Sequence, residues 1–135
     1  MHLSKIFGLL LMTTLFFSCS NAQESESNEQ GESEKVAMRV DKGTFKAMMA
    51  KHGENAQLLD VRTAGEVANG KIGDAIEINF HDADFKEQLK ALDTSRPILL
   101  YCAAGGRSAR TMKMMEEMGF EKIYELEGGY NVWKN

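Results

Sequence analysis

Residues 98–102, Ile-Leu-Leu-Tyr-Cys, form an unbroken apolar run between Pro97 and the small residues 103–106. A strand covered on one face alternates polar with apolar residues. A short run without polar positions must be covered on both faces, as in the centre of a parallel sheet flanked by helices. The rest of 36–135 reads consistently with that demand. "AQLLDV" (56–61) is a second short apolar run, "AIEINF" (75–80) alternates, and "KIYEL" (122–126) reads as a last strand. Helical spacing fills the intervals. Asp41 is an N-cap for a helix over 41–53, with Phe45, Met48, Met49 and His52 on one stripe and Gly53 closing it. Residues 63–70 read as one or two helical turns ended by Gly70, and 82–92 place Phe85, Leu89 and Leu92 on one face. Residues 107–120 turn Thr111, Met112, Met115 and Met118 toward the core, with Gly119 at the C-terminus, and 127–135 form a turn and a short helix. At this spacing methionines serve as core filler. The expected class is α/β with a mostly parallel sheet and one domain at 36–135. In such sheets ligands sit beyond the carboxyl ends of the strands, which places Cys102 and the pair Asp60 and Arg62 on one face.

The residues ahead of this domain have other work. Lys5 and the apolar "IFGLLLMTTLFF" read as a signal peptide over 1–18, too short for a membrane span, ending at "FFSCS". A small residue and then Cys19 after such a run resembles the lipobox of bacterial lipoproteins, in which the cysteine is lipidated and becomes the new N-terminus. Phe16 stands where leucine is more usual. The expectation is a lipid-anchored protein of the bacterial cell envelope, held at the membrane without spanning it. Residues 19–35 carry five glutamates, one lysine and no aromatic or long aliphatic side chain, the composition of a disordered tether. The formal charge of the chain is −4, and residues 36–135 are near neutral with 15 acids and 14 bases. A nucleic-acid partner is therefore set aside.

With Cys19 acylated, Cys102 has no disulfide partner and is either buried and inert or a reactive thiol. Its neighbours favour reactivity. Ala103, Ala104, Gly105 and Gly106 leave the backbone open, so that amide N–H groups can turn toward one point. The following helix adds unpaired donors and the positive end of its dipole. A thiol in that cradle is acidified, and Arg107 offers a fork of donors to an oxyanion. The segment fails as a P-loop, because Tyr101 holds the position of the first glycine and Arg107 replaces the lysine. His52 and His81 lack the paired spacing of metal ligands, so no metal and no cofactor is expected. His81 is the better of the two for a Cys–His dyad, although a surface histidine is the simpler reading. Asp60 and Arg62 are read as supports of the loop, or as partners of Glu66 across a short turn. Gly128, Gly129 and Trp133 are read as a turn and a packed aromatic.

The Cys102, Gly105 and Arg107 pattern, C-x-x-G-x-R, resembles the active-site loop of the rhodanese family of sulfurtransferases. "LLDVRTAGEVANGKIGDAIEINF" is similar to that family's Asp-Val-Arg opening and later Gly-His-Ile-x-Gly-Ala stretch, with Lys71 at the histidine position. "LEGGYNVWK" is similar to its terminal Gly-Gly-x-x-x-Trp segment. The resemblance implies a rhodanese-like fold of five parallel strands flanked by helices. It also implies a sulfane-sulfur transfer through a persulfide on Cys102, from a small anionic donor such as thiosulfate to cyanide, a thiol or a dithiol, a thioredoxin-like protein among them. Residues 103–108, including Ser108, would hold the donor and Arg107 would help bind its sulfonate. The six-residue spacing from Cys102 to Arg107 favours sulfur over phosphate, since the related phosphatases use a loop longer by one residue. A non-catalytic sulfur carrier or docking module is the alternative, and a phosphatase or arsenate-type reductase is disfavoured by loop length.

Overall fold

The computed structural model describes residues 34–135; the signal segment, Cys19 and nearly all of the acidic tether lie outside the described residues. Five strands are β1 (Val36–Val40), β2 (Gln57–Asp60), β3 (Ile76–Glu77), β4 (Ile98–Tyr101) and β5 (Lys122–Leu126). Five α-helices are α1 (Lys42–His52), α2 (Ala64–Val67), α3 (Phe85–Lys90), α4 (Gly106–Glu117) and α5 (Gly129–Trp133). The strands form one sheet in the order β1-β5-β4-β2-β3, and every pairing is parallel. No helix among the described residues is long and apolar enough to cross a membrane.

The run at 98–102 sits at the centre of this sheet, between β2 and β5, as its composition demanded. Its side chains alternate between two cores. Ile98, Leu100 and Cys102 pack with Leu89, Met115 and Phe120, while Leu99 and Tyr101 pack with Phe45, Ile72 and Leu126. Fully burying each large aliphatic side chain contributes about 1.5–3 kcal/mol, so this strand anchors both layers. Because Cys102 continues the alternation, its sulfur emerges on the α4 side.

Local signals behave as the residue types require. Asp41 caps α1 by accepting from the Thr44 amide, and Gly53 leaves it with φ +51°. Thr63 and Glu66 form a reciprocal capping box around α2. Met115 is fully buried, and Met112, Met114 and Met118 pack beside it.

Three differences have physical causes. β1 does not stand out in the sequence because it is an edge strand, with Met38 and Arg39 exposed, so its pattern lacks an apolar period. β3 pairs over two residues instead of six, because it is the opposite edge and has only β2 beside it. α3 begins at Phe85, since 82–84 are taken up in a turn where Asn79 donates to the Asp82 carboxylate at 2.7 Å.

Candidate active site

β4 ends at Tyr101, and the next side chain, Cys102, lies at 1% exposure at the carboxyl end of the sheet. Residues 103–105 then turn the chain into α4. Gly105 adopts φ +94°, which aims its N–H at the Cys102 sulfur, 3.1 Å away. A side chain at this position would meet the Arg39 guanidinium at 2.7 Å. Ser108, buried in the first turn of α4, places its Oγ 3.3 Å from the same sulfur. Burial pushes the Cys102 thiol up, but the Ser108 hydroxyl and the amides of Ser108, Ala104 and Gly105 outweigh it and hold the thiol below its ordinary pKa. The thiolate is thus stabilised by oriented donors.

The far wall of the loop comes from α5, whose Tyr130 and Asn131 amides donate to the carbonyls of Cys102 and Ala103 at 2.7 and 3.0 Å. This approach depends on Gly129. Its φ is +59°, and a Cβ would fall 2.4 Å from the Cys102 carbonyl oxygen and 2.8 Å from the Ala103 backbone. Gly129→Ala is expected to cost about 2–4 kcal/mol, read from urea unfolding, because the clash is with backbone and the conformation is left-handed. It should also move the pH midpoint of Cys102 alkylation up toward the ordinary thiol value, as the loop amides leave the sulfur. What looked like a terminal turn is a support of the reactive loop.

Arg107 is held by Glu66 in a bidentate pair, with Nη1–Oε2 2.8 Å and Nη2–Oε1 2.6 Å. Of the two readings of Asp60 and Arg62, the one that pairs them with Glu66 across a short turn is not what the side chains do. The side chain of Glu66 instead reaches from α2 across to α4, and Arg62 touches only the Glu66 carbonyl, at 3.4 Å. Arg107 holds the Glu66 carboxyl down at about 2. A carboxylate depressed in the folded state stabilises above its ordinary value and loses that contribution as pH falls through the folded value. Unfolding in urea should therefore show the pair's contribution, about 1 kcal/mol after solvent screening, intact near neutrality and vanishing as pH falls toward 2, with no such loss in Glu66→Gln.

Asp60 and Arg62 form a buried bidentate pair at the end of β2, with 0% and 3% exposure and contacts of 2.6–3.0 Å. Arg62 also donates to the Gly70 carbonyl at 2.8 Å and lies 4.1 Å from the centre of the Tyr130 ring. The pair braces the α2 turn and the α5 side of the loop. His52 stacks on Tyr124 and His81 meets the edge of Phe80, and neither is among the sulfur's hydrogen-bond partners. Lys71 pairs with Glu77 at 2.6 Å. Beside the loop runs an open groove of about 210 Å³, lined by Arg62, Glu66, Asn69, Ala103, Tyr130 and Lys134 among others.

A family model described as "Rhodanese-like domain" matches residues 41–135. The chain belongs to this family. The rhodanese-like domain is 29% identical over 80 residues to a sulfurtransferase of Allochromatium vinosum, which covers 59% of this chain and 73% of that one. It is 28% identical over 80 residues to the thiosulfate sulfurtransferase GlpE of Shewanella oneidensis, covering 59% and 77%. In fold it is similar to a rhodanese-like domain protein of Staphylococcus aureus, with TM-score 0.61, 26% identity and coverage of 70% and 89%. It is also similar to a rhodanese-related protein of Thermoplasma volcanium, with TM-score 0.59, 26% identity and coverage of 71% and 89%.

Two residues of this rhodanese-like domain escaped the sequence reading. Glu125, with 0% exposure, accepts from Ser108 Oγ at 2.5 Å and from Arg39 Nε at 2.6 Å. One signal was available. A glutamate interrupts the apolar strand "KIYEL", and a carboxylate is not buried without partners. Arg39 had no comparable signal, because an arginine on an edge strand is ordinary.

Proposed function

We propose that the protein is a sulfurtransferase that carries sulfane sulfur as a persulfide on Cys102. The observation that carries this reading is the set of donors trained on one buried sulfur at a strand end: the Gly105 N–H at 3.1 Å and the Ser108 hydroxyl at 3.3 Å, in a six-residue loop. The similarity to sulfurtransferases, one of them named for thiosulfate, supports it.

In the first half-reaction the Cys102 thiolate attacks the outer sulfur of thiosulfate. A Cys102–sulfur bond forms, the sulfur–sulfur bond of the donor breaks, and sulfite leaves with the bonding pair. The new outer sulfur carries one negative charge, which the loop amides of residues 103–108 would hold. In the second half-reaction a thiophilic acceptor, cyanide or a thiolate, attacks that outer sulfur and returns the Cys102 thiolate. Arg107 serves the donor from within its pair with Glu66, so the guanidinium orients a sulfonate as part of a neutral couple. The groove beside Ala103 is the path by which a thiol or dithiol acceptor, such as a thioredoxin-like protein, approaches.

Incubating the protein with thiosulfate should add the mass of one sulfur atom to the peptide containing Cys102. No adduct with thiosulfate or a persulfide donor would sink the reading. Turnover with cyanide or a dithiol then separates an enzyme from a sulfur carrier. The proposed location is the bacterial cell envelope, with a lipid on Cys19 as the anchor. Cys19→Ala is expected to move the protein from the membrane to the soluble fraction, and an unchanged distribution would overturn the anchor.

A further inference from the structure

Glu125 is a buried carboxylate that the sulfur-transfer steps leave without a task. The topology brings it to the reactive sulfur. Arg39 and Glu125 are register partners on β1 and β5, and Glu125 is the partner of Leu100 on β4, two residues before Cys102. Residues two apart on a strand share a face, so Glu125 and Cys102 project to the α4 side of neighbouring strands. Ser108 descends from α4 between them. Its one hydroxyl group lies 2.5 Å from Glu125 Oε1 and 3.3 Å from Cys102 Sγ.

A serine hydroxyl has a single proton to donate. It cannot serve a thiolate on one side and a carboxylate on the other at the same time. At 2.5 Å, two oxygens without a proton between them repel strongly, so that position always holds one. If the hydroxyl donates to the carboxylate, its lone pair faces the sulfur and Cys102 bears its own proton. If it donates to a thiolate, the carboxyl must be protonated and donate back to the serine.

We propose that Cys102 and Glu125 share one proton through the Ser108 hydroxyl, which makes Glu125 a positioning residue for the charge on the reactive sulfur. In the exchange the thiol proton passes to Ser108 Oγ while the Ser108 proton passes to Glu125 Oε1. A thiol and a carboxylate become a thiolate and a carboxylic acid, with no change in total charge and no proton released. The state in which both are ionised is opposed, because only one proton remains to bridge two anions.

The surrounding charges set the balance. Arg39, from β1, holds the other oxygen of Glu125 at 2.6 Å and lies against Gly105. Glu127 acts on Arg39 from the end of β5. Arg107 faces the sulfur from α4 but is matched by Glu66 from α2, and Asp60 and Arg62 at the end of β2 neutralise each other. Glu125 is thus the anion joined to Cys102 by hydrogen bonds through Ser108, and Arg39 is the cation that restrains it. The reading rests on Cys102 being the reactive sulfur, but its test does not require sulfur transfer.

The test is the pH profile of alkylation of Cys102 by iodoacetamide in the full chain, followed by peptide mass so that Cys19 is scored separately. The wild type should titrate in two steps. Glu125→Gln should give one step, with its midpoint about one pH unit, or tenfold in proton concentration, below the upper wild-type step. Arg39→Gln, at a half-exposed position that should fold whatever the fate of the buried variant, should move the upper step the other way, to higher pH. Ser108→Ala should shrink the effect of Glu125→Gln to less than half, because the hydroxyl carries the coupling. A Glu125→Gln profile that matches the wild type or shifts upward would overturn the proposal. So would an Arg39→Gln upper step that stays in place or moves to lower pH. Opposed shifts in the two variants would stand as support even if no sulfur adduct formed with thiosulfate, so failure of the sulfurtransferase reading is told apart from failure of the shared proton.

Discussion

Cys102→Ser should abolish sulfur loading and lower any turnover by at least about a thousandfold, while leaving the fold in place. The reason lies in what the cradle can ionise. The Gly105 N–H at 3.1 Å and the Ser108 hydroxyl at 3.3 Å bring a thiol below its ordinary pKa. A serine hydroxyl is so much weaker an acid that the same donors leave it protonated, and it is a poor nucleophile in that form. Structurally the exchange is mild. Serine keeps the size of the side chain, and the buried oxygen inherits partners in Gly105 and Ser108, so stability should change by no more than about 1 kcal/mol. Peptide mass after incubation with thiosulfate measures the first effect and urea unfolding the second. Turnover by the variant at the wild-type rate would remove Cys102 from the reaction.

Asp60→Ala carries the largest expected loss of stability, about 3–5 kcal/mol by urea unfolding. Domains of this kind are stable by about 5–15 kcal/mol in total, so the variant loses a large share of its stability. The magnitude follows from what is left behind. Arg62 is 3% exposed, and removing Asp60 strands a guanidinium that had donated from Nε and Nη2 to both carboxylate oxygens. The Arg62 backbone amide also loses its acceptor, Asp60 Oδ1 at 3.0 Å. The Gly70 carbonyl and the Tyr130 ring still contact the guanidinium, which limits the loss but does not replace a charge. Asp60→Asn retains one acceptor oxygen and should lose less. A cost under about 1 kcal/mol for Asp60→Ala would mean that water reaches Arg62 in the variant and that the pair is not the brace it resembles.

The parts of the fold legible in the sequence are those whose signal is local. The run at 98–102 declares a strand covered on both faces, because nothing in it tolerates water. Asp41, Gly53 and Gly119 mark helix ends through their own side chains or their own φ. The loop is legible for the same reason, since "CAAGGRS" places its small residues and first helical turn within seven positions. Edge strands were less legible. β1 buries one residue of five, and β3 has two paired residues, so neither displays a full period.

The long-range partners of charged groups were not legible. Glu66 could have met Arg62, four residues away, yet it pairs with Arg107, 41 residues away. Only the docking of α2 against α4 decides between them. Gly129 gave the pattern of a turn, and its service to the Cys102 carbonyl depends on where α5 lands.

By itself, the order of residues determined a parallel α/β domain and a cysteine raised at the end of its central strand among free amides. These follow from short-range sterics and from the need to bury apolar runs, and both act over a few residues. Tertiary structure decided which charges meet across elements. It closed Arg107 with Glu66, and it set Glu125 behind Ser108 and Arg39 behind Glu125. Coulombic and hydrogen-bond energies depend on separations of a few ångströms, and separations between strands are a property of the sheet, not of the chain that enters it.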